Sequence, residues 1–285
     1  MRVSLMTTNN TIKIRVSELA SYHNCPTRGA VRMFPDILRE AGFTFAAAKP
    51  RIYTAFGTAM HSGAAHALRE KKSGTIISPS DIAGVSIDKF RSEISDGVEW
   101  DDVTPSIKTA EGQISKAAAA YHEFILPGIE PVSIEEPLTA SRGDVTLSGH
   151  ADVICPDKIR DLKTGQVSAS YFIQMGGYSL LAKANNFPRP VQLVIDQIKR
   201  AKKSEMPKCI INNDVTANER IAWATLGRIA ADIATFKETG DPVRSFPVNP
   251  GSKFCSPKYC AAWGTDFCQI TKRRPNDYNK NTGRD

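Results

Sequence analysis

The sequence lacks any apolar run long enough to span a membrane, and residues 1–15 lack the continuous apolar segment of a secretory signal. It also lacks a repeat of fixed period, and its low-complexity sequence is limited to one short run of alanines. These absences predict a globular cytoplasmic protein with no membrane partner. In that reducing compartment, the six cysteines are expected to be metal ligands or core residues and not disulfides.

Length and charge set broad limits on the function. A chain of 285 residues with 41% hydrophobic residues can bury a substantial core, in one large domain or two small ones. The 37 Lys and Arg residues outnumber the 30 Asp and Glu residues, which gives a formal charge of +7. This excess suits a polyanionic partner such as DNA, although many basic proteins bind no nucleic acid.

The order of predicted elements indicates an α/β or α+β fold, with helices before and after a mixed β-sheet. Apolar residues at spacings of three and four predict helices over residues 17–24, 30–40, 56–71, 107–124, 168–186 and 218–238. Short β-rich segments between turn residues predict strands over residues 132–138, 145–154, 158–163, 191–199 and 208–212. Residues 74–104 show no regular pattern.

The clearest chemical signal is Gly149-His150-Ala151-Asp152 followed, after a tight turn, by Asp161-Leu162-Lys163-Thr164-Gly165. Alternate side chains of a strand share a face, so Asp161 and Lys163 are expected to point one way and Leu162 into the core. If the two strands form a hairpin, Asp152 lies close to Asp161.

Two carboxylates beside a lysine fit phosphodiester hydrolysis. Carboxylates bind hard divalent cations, and a lysine can orient the attacking water or neutralise the transition state. The alternative is a β-hairpin with a surface ion pair. Asp152 lies among Ala151, Val153 and Ile154, and a carboxylate buried there would need a partner or a metal.

These motifs, with Gly57-x-x-x-His61 before them and Gln174-x-x-x-Tyr178 after them, resemble the RecB-like branch of the PD-(D/E)XK nucleases. That branch includes AddB-type, CRISPR-associated and phage exonucleases. The resemblance implies a restriction-endonuclease-like core that uses Mg or Mn. It implies that His61, Asp152 and Asp161 bind the metal, that Lys163 is catalytic, and that Gln174 and Tyr178 support the site. Without this context, His61 would be taken for a core or surface residue.

Four cysteines form a second candidate site: Cys25 in an N-terminal Cys-Pro turn, and Cys255, Cys260 and Cys268 in a C-terminal loop. Four thiolates can hold an iron–sulfur cluster or a zinc ion, and unliganded cysteines are the third possibility. Iron–sulfur members of the resembled branch hold a 4Fe-4S cluster with one N-terminal and three C-terminal cysteines. The C-terminal spacing here is wider than in that pattern.

The resemblance implies a metal-dependent DNA exonuclease acting on single strands or DNA ends in replication, repair or recombination, encoded by a phage or a bacterium. A helicase or recombinase is the expected partner. The alternative is a noncatalytic DNA-binding module held by an iron–sulfur or zinc site.

One domain is expected over residues 1–271, comprising a helical part (1–130), a catalytic sheet (131–215) and a helix with the cysteine loop (216–271). A basic tail (272–285) follows. Its Lys272, Arg273 and Arg274, with Lys199, Arg200, Lys202 and Lys203, either contact phosphates or form solvated surface.

Overall fold

The computed structural model describes residues 11–45, 50–201 and 205–271. Two compact units contain these residues. One combines Met1–Ala48, Ala140–Ser148 and Arg220–Asp285, and the other combines Lys49–Thr139 and Gly149–Glu219. Within the described residues, no helix is both apolar and long enough to cross a membrane.

The second unit contains a five-stranded mixed sheet. Its elements are β2 (Ser133–Ile134), β5 (Val153–Ile154), β6 (Lys158–Lys163), α7 (Tyr171–Ala184), β7 (Gln192–Gln197) and β8 (Lys208–Asn212). The strands lie in the order β2-β5-β6-β7-β8. Neighbouring strands are antiparallel except for β6 and β7, which are parallel and joined through α7. The mixed sheet confirms the predicted α/β class.

Three helices complete the core of this unit: α4 (Ile52–Ser73), α5 (Pro79–Glu93) and α6 (Ile107–Phe124). Their buried faces share one hydrophobic cluster with Val153, Leu162 and Ile198 of the sheet region. Burial of this apolar surface is the main force that holds α4 against the sheet.

The first unit contains β1 (Ile12–Arg15), α1 (Val16–Asn24), α2 (Pro26–Met33) and α3 (Pro35–Glu40). Strand β1 pairs in parallel with β4 (Val145–His150), which is followed in its sheet by β3 (Pro137–Arg142). Helices α8 (Val215–Thr239) and α9 (Pro242–Ser245) come later in the chain. Aromatic rings pack together in this unit, and they belong to Phe43, Phe236, Phe246 and Phe267.

Two of the helix predictions were wrong. The single helix expected over residues 30–40 is interrupted at Phe34, because Pro35 has no amide hydrogen and instead begins α3. The segment expected to be irregular contains α5. Its N-terminus is fixed by a capping box between Ser78 and Asp81, a signal that the sequence carried and that was overlooked.

Two of the strand predictions were also wrong. Residues 132–138 form β2 and β3 with a break at Glu135, whose φ is +50°. Residues 145–154 form β4 and β5, which belong to different sheets and are separated by Ala151 and Asp152. Asp152 therefore lies immediately before a strand and not within one.

Candidate active site and cysteine cluster

Three carboxylate residues lie side by side: Glu135 just after β2, Asp152 just before β5, and Asp161 on β6. Strand β5 pairs antiparallel with β2 on one side and with β6 on the other. Continued by one residue, these registers place Asp152 opposite Glu135 and opposite Asp161. The backbone amide of Glu135 donates to the carbonyl of Asp152 at 3.2 Å. The Leu162 amide donates to Asp152 Oδ2 at 2.6 Å, which fixes the carboxylate against β6.

His61 reaches this group from α4. Its Nδ1 lies 3.1 Å from Asp152 Oδ1 and 3.9 Å from Glu135 Oε1. One ligand atom from each of these three residues lies within 4.8 Å of the other two, which is close enough to share an ion. One helical turn earlier, a Cβ at Gly57 would lie 3.3 Å from Thr164 Oγ1. The glycine lets α4 approach the segment after β6 closely.

Asp161 and Lys163 form a buried ion pair on β6. Lys163 Nζ lies 2.5 Å from Asp161 Oδ2, and their side chains are 18% and 1% exposed. Leu162, between them, belongs to the hydrophobic cluster with the helices. Strand alternation thus separates a charged pair from the core side chain, as the sequence predicted.

Helix α7 supplies the buried polar contacts of Asp161. Gln174 Nε2 donates to Asp161 Oδ1 at 3.4 Å and to Tyr178 Oη at 3.0 Å. Gln174 and Tyr178 are both buried. Their spacing of four residues places them on one face of the helix, toward β6. All six residues singled out from the sequence for the centre of the site, His61 included, therefore lie at the His61–Asp152 contact or around the Asp161–Lys163 pair.

The charges of the site are strongly coupled. Burial lowers the pKa of His61, but the carboxylates of Asp152 and Glu135 together raise it to about 10. Burial raises the pKa of Asp152, yet the charge of His61 leaves it below its usual value. Burial raises the pKa of Asp161 to about 6. Burial lowers the pKa of Lys163, but the carboxylates of Asp161 and Asp152 together raise it above its usual value. A divalent cation bound here would replace the proton of His61 as the partner of Asp152.

The family model of the PD-(D/E)XK nuclease superfamily matches residues 14–268. The chain belongs to this superfamily. No curated protein matches it. The crystal structure of a protein from Eubacterium rectale, described as a putative exonuclease, is similar over 90% of this chain and 92% of its own, with 12% identity and a TM-score of 0.47.

PD-(D/E)XK nucleases use Mg or Mn, and the donor set here fits such an ion because it offers carboxylate oxygens and one imidazole nitrogen. Glu135 belongs to this set and was missed in the sequence. It was hidden inside a predicted continuous strand, whereas the positive φ at Glu135 turns the chain there. The sequence does carry a signal for this residue: the acidic pair Glu135-Glu136 lies in the predicted strand that precedes the one containing Asp152.

The basic residues considered for phosphate contacts have other partners where they can be described. Arg200 donates to both carboxylate oxygens of Asp101, and its side chain is 11% exposed. It is an internal ion-pair residue and not solvated surface, and a phosphate contact at this position stays a prediction. Lys199 pairs with Glu205 at 2.9 Å. The other candidates, Lys202, Lys203, Lys272, Arg273 and Arg274, lie outside the described residues.

The four candidate cysteines line a common pocket in the first unit. Cys25 is placed at the pocket by α2, which begins at the next residue, Pro26. Arg28, one turn into the same helix, lines the pocket as well. Among the described residues, no three of these sulfur atoms lie within 4.8 Å of one another. Burial raises the pKa of Cys260, and negative charge on Cys25 and Cys268 would raise it further.

Proposed function

We propose that this nuclease is a metal-dependent DNA exonuclease that acts on single strands or on duplex ends. The observation that carries the proposal is the buried Asp161–Lys163 pair beside the His61, Glu135 and Asp152 group. A purely structural ion pair would have no need of three further ionisable groups beside it, since each buried charge has a large desolvation cost. A cation shared by His61, Glu135 and Asp152 would account for these groups.

His61, Glu135, Asp152 and Asp161 would hold Mg or Mn. A bound ion of this kind stabilises charge on the phosphate and lowers the pKa of a coordinated water. In hydrolysis, the water oxygen bonds to phosphorus, one bridging P–O bond breaks, and the leaving oxygen takes up a proton. Lys163 Nζ, held by Asp161, would orient the attacking water or neutralise the phosphate oxygens.

Gln174 and Tyr178 would orient the carboxylate of Asp161. The Gln174 amide donates to Asp161 and to the Tyr178 hydroxyl, so the side chain is fixed from two directions. Burial raises the pKa of Tyr178 well above its usual value, which keeps the phenol neutral beside the carboxylates. These two residues would therefore position Asp161 without exchanging protons.

The four-cysteine pocket would hold a 4Fe-4S cluster. All four cysteines line one pocket, which supports a site that they share. Four thiolates can hold either a zinc ion or an iron–sulfur cluster. The cluster is preferred because one N-terminal and three C-terminal cysteines hold it in the iron–sulfur members of the resembled branch.

The alternative, a noncatalytic DNA-binding module, is disfavoured by the intact Asp161–Lys163 pair. No contact among the described residues points to a helicase or a recombinase, so that expectation depends on the resemblance alone. The same holds for a role in replication, repair or recombination.

The proposal is tested with DNA labelled at the 5′ or the 3′ end, single-stranded or duplex, linear or circular, in the presence of Mg or Mn. We expect mononucleotides or short products from linear single strands, and no cleavage of closed circles. Rapid cutting of closed circular DNA would establish an endonuclease instead. The absence of metal-stimulated cleavage on every substrate would favour the noncatalytic module.

A further inference from the structure

Tyr171, the first residue of α7, presents its ring to the ammonium group of Lys163. Lys163 Nζ lies 5.2 Å from the ring centroid. This is within the range, about 6 Å, in which an aromatic face attracts a cation through its quadrupole. The ring therefore makes a second contact with Lys163, in addition to the Asp161 carboxylate.

The contact belongs to a series along one face of α7. Tyr171, Gln174 and Tyr178 follow one another at spacings of three and four residues, which places them on one stripe of the helix. Tyr171 contacts Lys163, Gln174 contacts Asp161, and Tyr178 contacts Gln174. One helix stripe thus contacts both charged residues of the D-x-K motif.

The segment that connects β6 to α7 fixes the backbone position of Tyr171. Gln197 lies beside Lys163 in the parallel register of β6 and β7, and its Nε2 donates to the Gly165 carbonyl at 2.6 Å. At the other end of the connection, the Tyr171 amide donates to the Ser168 carbonyl at 3.0 Å. The connecting segment is anchored at both ends, so the backbone of Tyr171, from which the ring projects, is held independently of Lys163.

Lysine has a long side chain with several rotatable bonds, and one ion pair leaves much of that freedom in place. With a carboxylate and an aromatic face both in contact with it, Nζ is restricted to a narrow region. On the basis of the proposed nuclease function, we propose that Tyr171 is a positioning residue that fixes Lys163 Nζ for the reaction.

The test combines a structural readout with kinetics on the full-length protein. Lysines are labelled with ¹³C at Cε, and the Lys163 signal is assigned by its loss in Lys163→Arg. The ring current of Tyr171 should shift the Lys163 ε-proton signal upfield in the natural protein and in Tyr171→Phe. The shift should disappear in Tyr171→Leu. Thermal melting of each variant checks that it folds.

Kinetics then separates positioning of Lys163 from contact with the substrate. For Tyr171→Leu we expect kcat to fall about tenfold, in line with a desolvated cation–π contact, while KM stays within about a factor of two. Tyr171→Phe, which keeps the ring face, should retain nearly full activity. A raised KM with unchanged kcat in Tyr171→Leu would overturn the proposal and indicate that the ring stacks on a base.

The two readouts also separate this inference from the proposed function. A Lys163 signal that is unshifted in the natural protein, or unchanged by Tyr171→Leu, would overturn the inference even in an active nuclease. If the signal behaves as expected but no form of the protein cleaves DNA, the proposed function fails, and the placement of Lys163 by Tyr171 still stands.

Discussion

His61 Nδ1 of helix α4 lies 3.1 Å from Asp152 Oδ1, next to the first residue of β5. The contact connects the helical layer of the unit to the edge where three carboxylates meet. It depends on the close approach of α4 to the segment after β6, where Gly57 faces Thr164. The imidazole and the carboxylates together form the proposed metal site.

Glu135→Gln should raise the metal concentration needed for half-maximal cleavage by at least about tenfold, because changes even outside the direct ligands of a metal cost that much. The matched control is Glu136→Gln. Glu136 accepts a hydrogen bond from the Ser133 hydroxyl at 2.8 Å and is not part of the metal-binding group. Equal metal dependence of the two variants would show that Glu135 does not bind the metal.

If the four pocket cysteines hold a 4Fe-4S cluster, the purified protein should contain iron. Purified without oxygen, the natural protein should be brown and contain about four iron atoms per chain, and Cys25→Ser should lose most of the iron. Cys209→Ser is the control, because Cys209 is exposed on β8 and does not line the pocket. Stoichiometric zinc with no iron would contradict the cluster assignment.

Gly176→Ala should destabilise the protein by about 2–3 kcal/mol, as overpacking of a close contact does. A Cβ at this position in α7 would lie 2.2 Å from the backbone oxygen of Asn218, which cannot move as a side chain could. Gly112→Ala in α6 meets no atom within 4 Å and should stabilise the helix by about 0.5–1 kcal/mol. Urea unfolding of both variants checks the contrast, and similar effects in the two would refute it.

The ion pair of Asp101 with Arg200 should make stability depend on pH. Hydrogen bonds from Arg200 hold the pKa of Asp101 below its usual value. The pair therefore stabilises the folded state above pH of about 4, and this contribution is lost as the pH falls through the lowered pKa.

Asp101→Asn should accordingly lower the unfolding midpoint in urea at pH 7, and the difference from the natural protein should shrink toward pH of about 3. Asp102→Asn, at the exposed neighbouring position, is the control. A deficit for Asp101→Asn that is the same at both pH values would show that the carboxylate charge is not what stabilises the contact.

Much of the site could be predicted because its residues follow local rules. The alternation of Asp161, Leu162 and Lys163 and the spacing of Gln174 and Tyr178 depend only on strand and helix periodicity. Glu135 could not be predicted in this way. It joins the site through a break between β2 and β3, and breaks of this kind depend on which strands pair, which a single sequence does not specify.

The start of β5 was also mispredicted, because it depends on which strands pair and not on local periodicity. The apolar run around Asp152 predicted a continuous strand, but β4 pairs with β1 while β5 pairs with β2 and β6. The chain must therefore change sheets at Ala151 and Asp152. That change leaves Asp152 at a strand end, where its carboxylate can face His61 and accept from the Leu162 amide.

The central claim, a divalent ion held beside Lys163, is tested most directly by measuring Mn binding and DNA cleavage on the same preparations of three proteins. The natural protein should bind Mn and cleave. Asp152→Asn should lose both properties, and Lys163→Ala should bind Mn but cleave at least about a hundredfold more slowly. Cleavage by Lys163→Ala at the natural rate, or unchanged Mn binding by Asp152→Asn, would contradict the account.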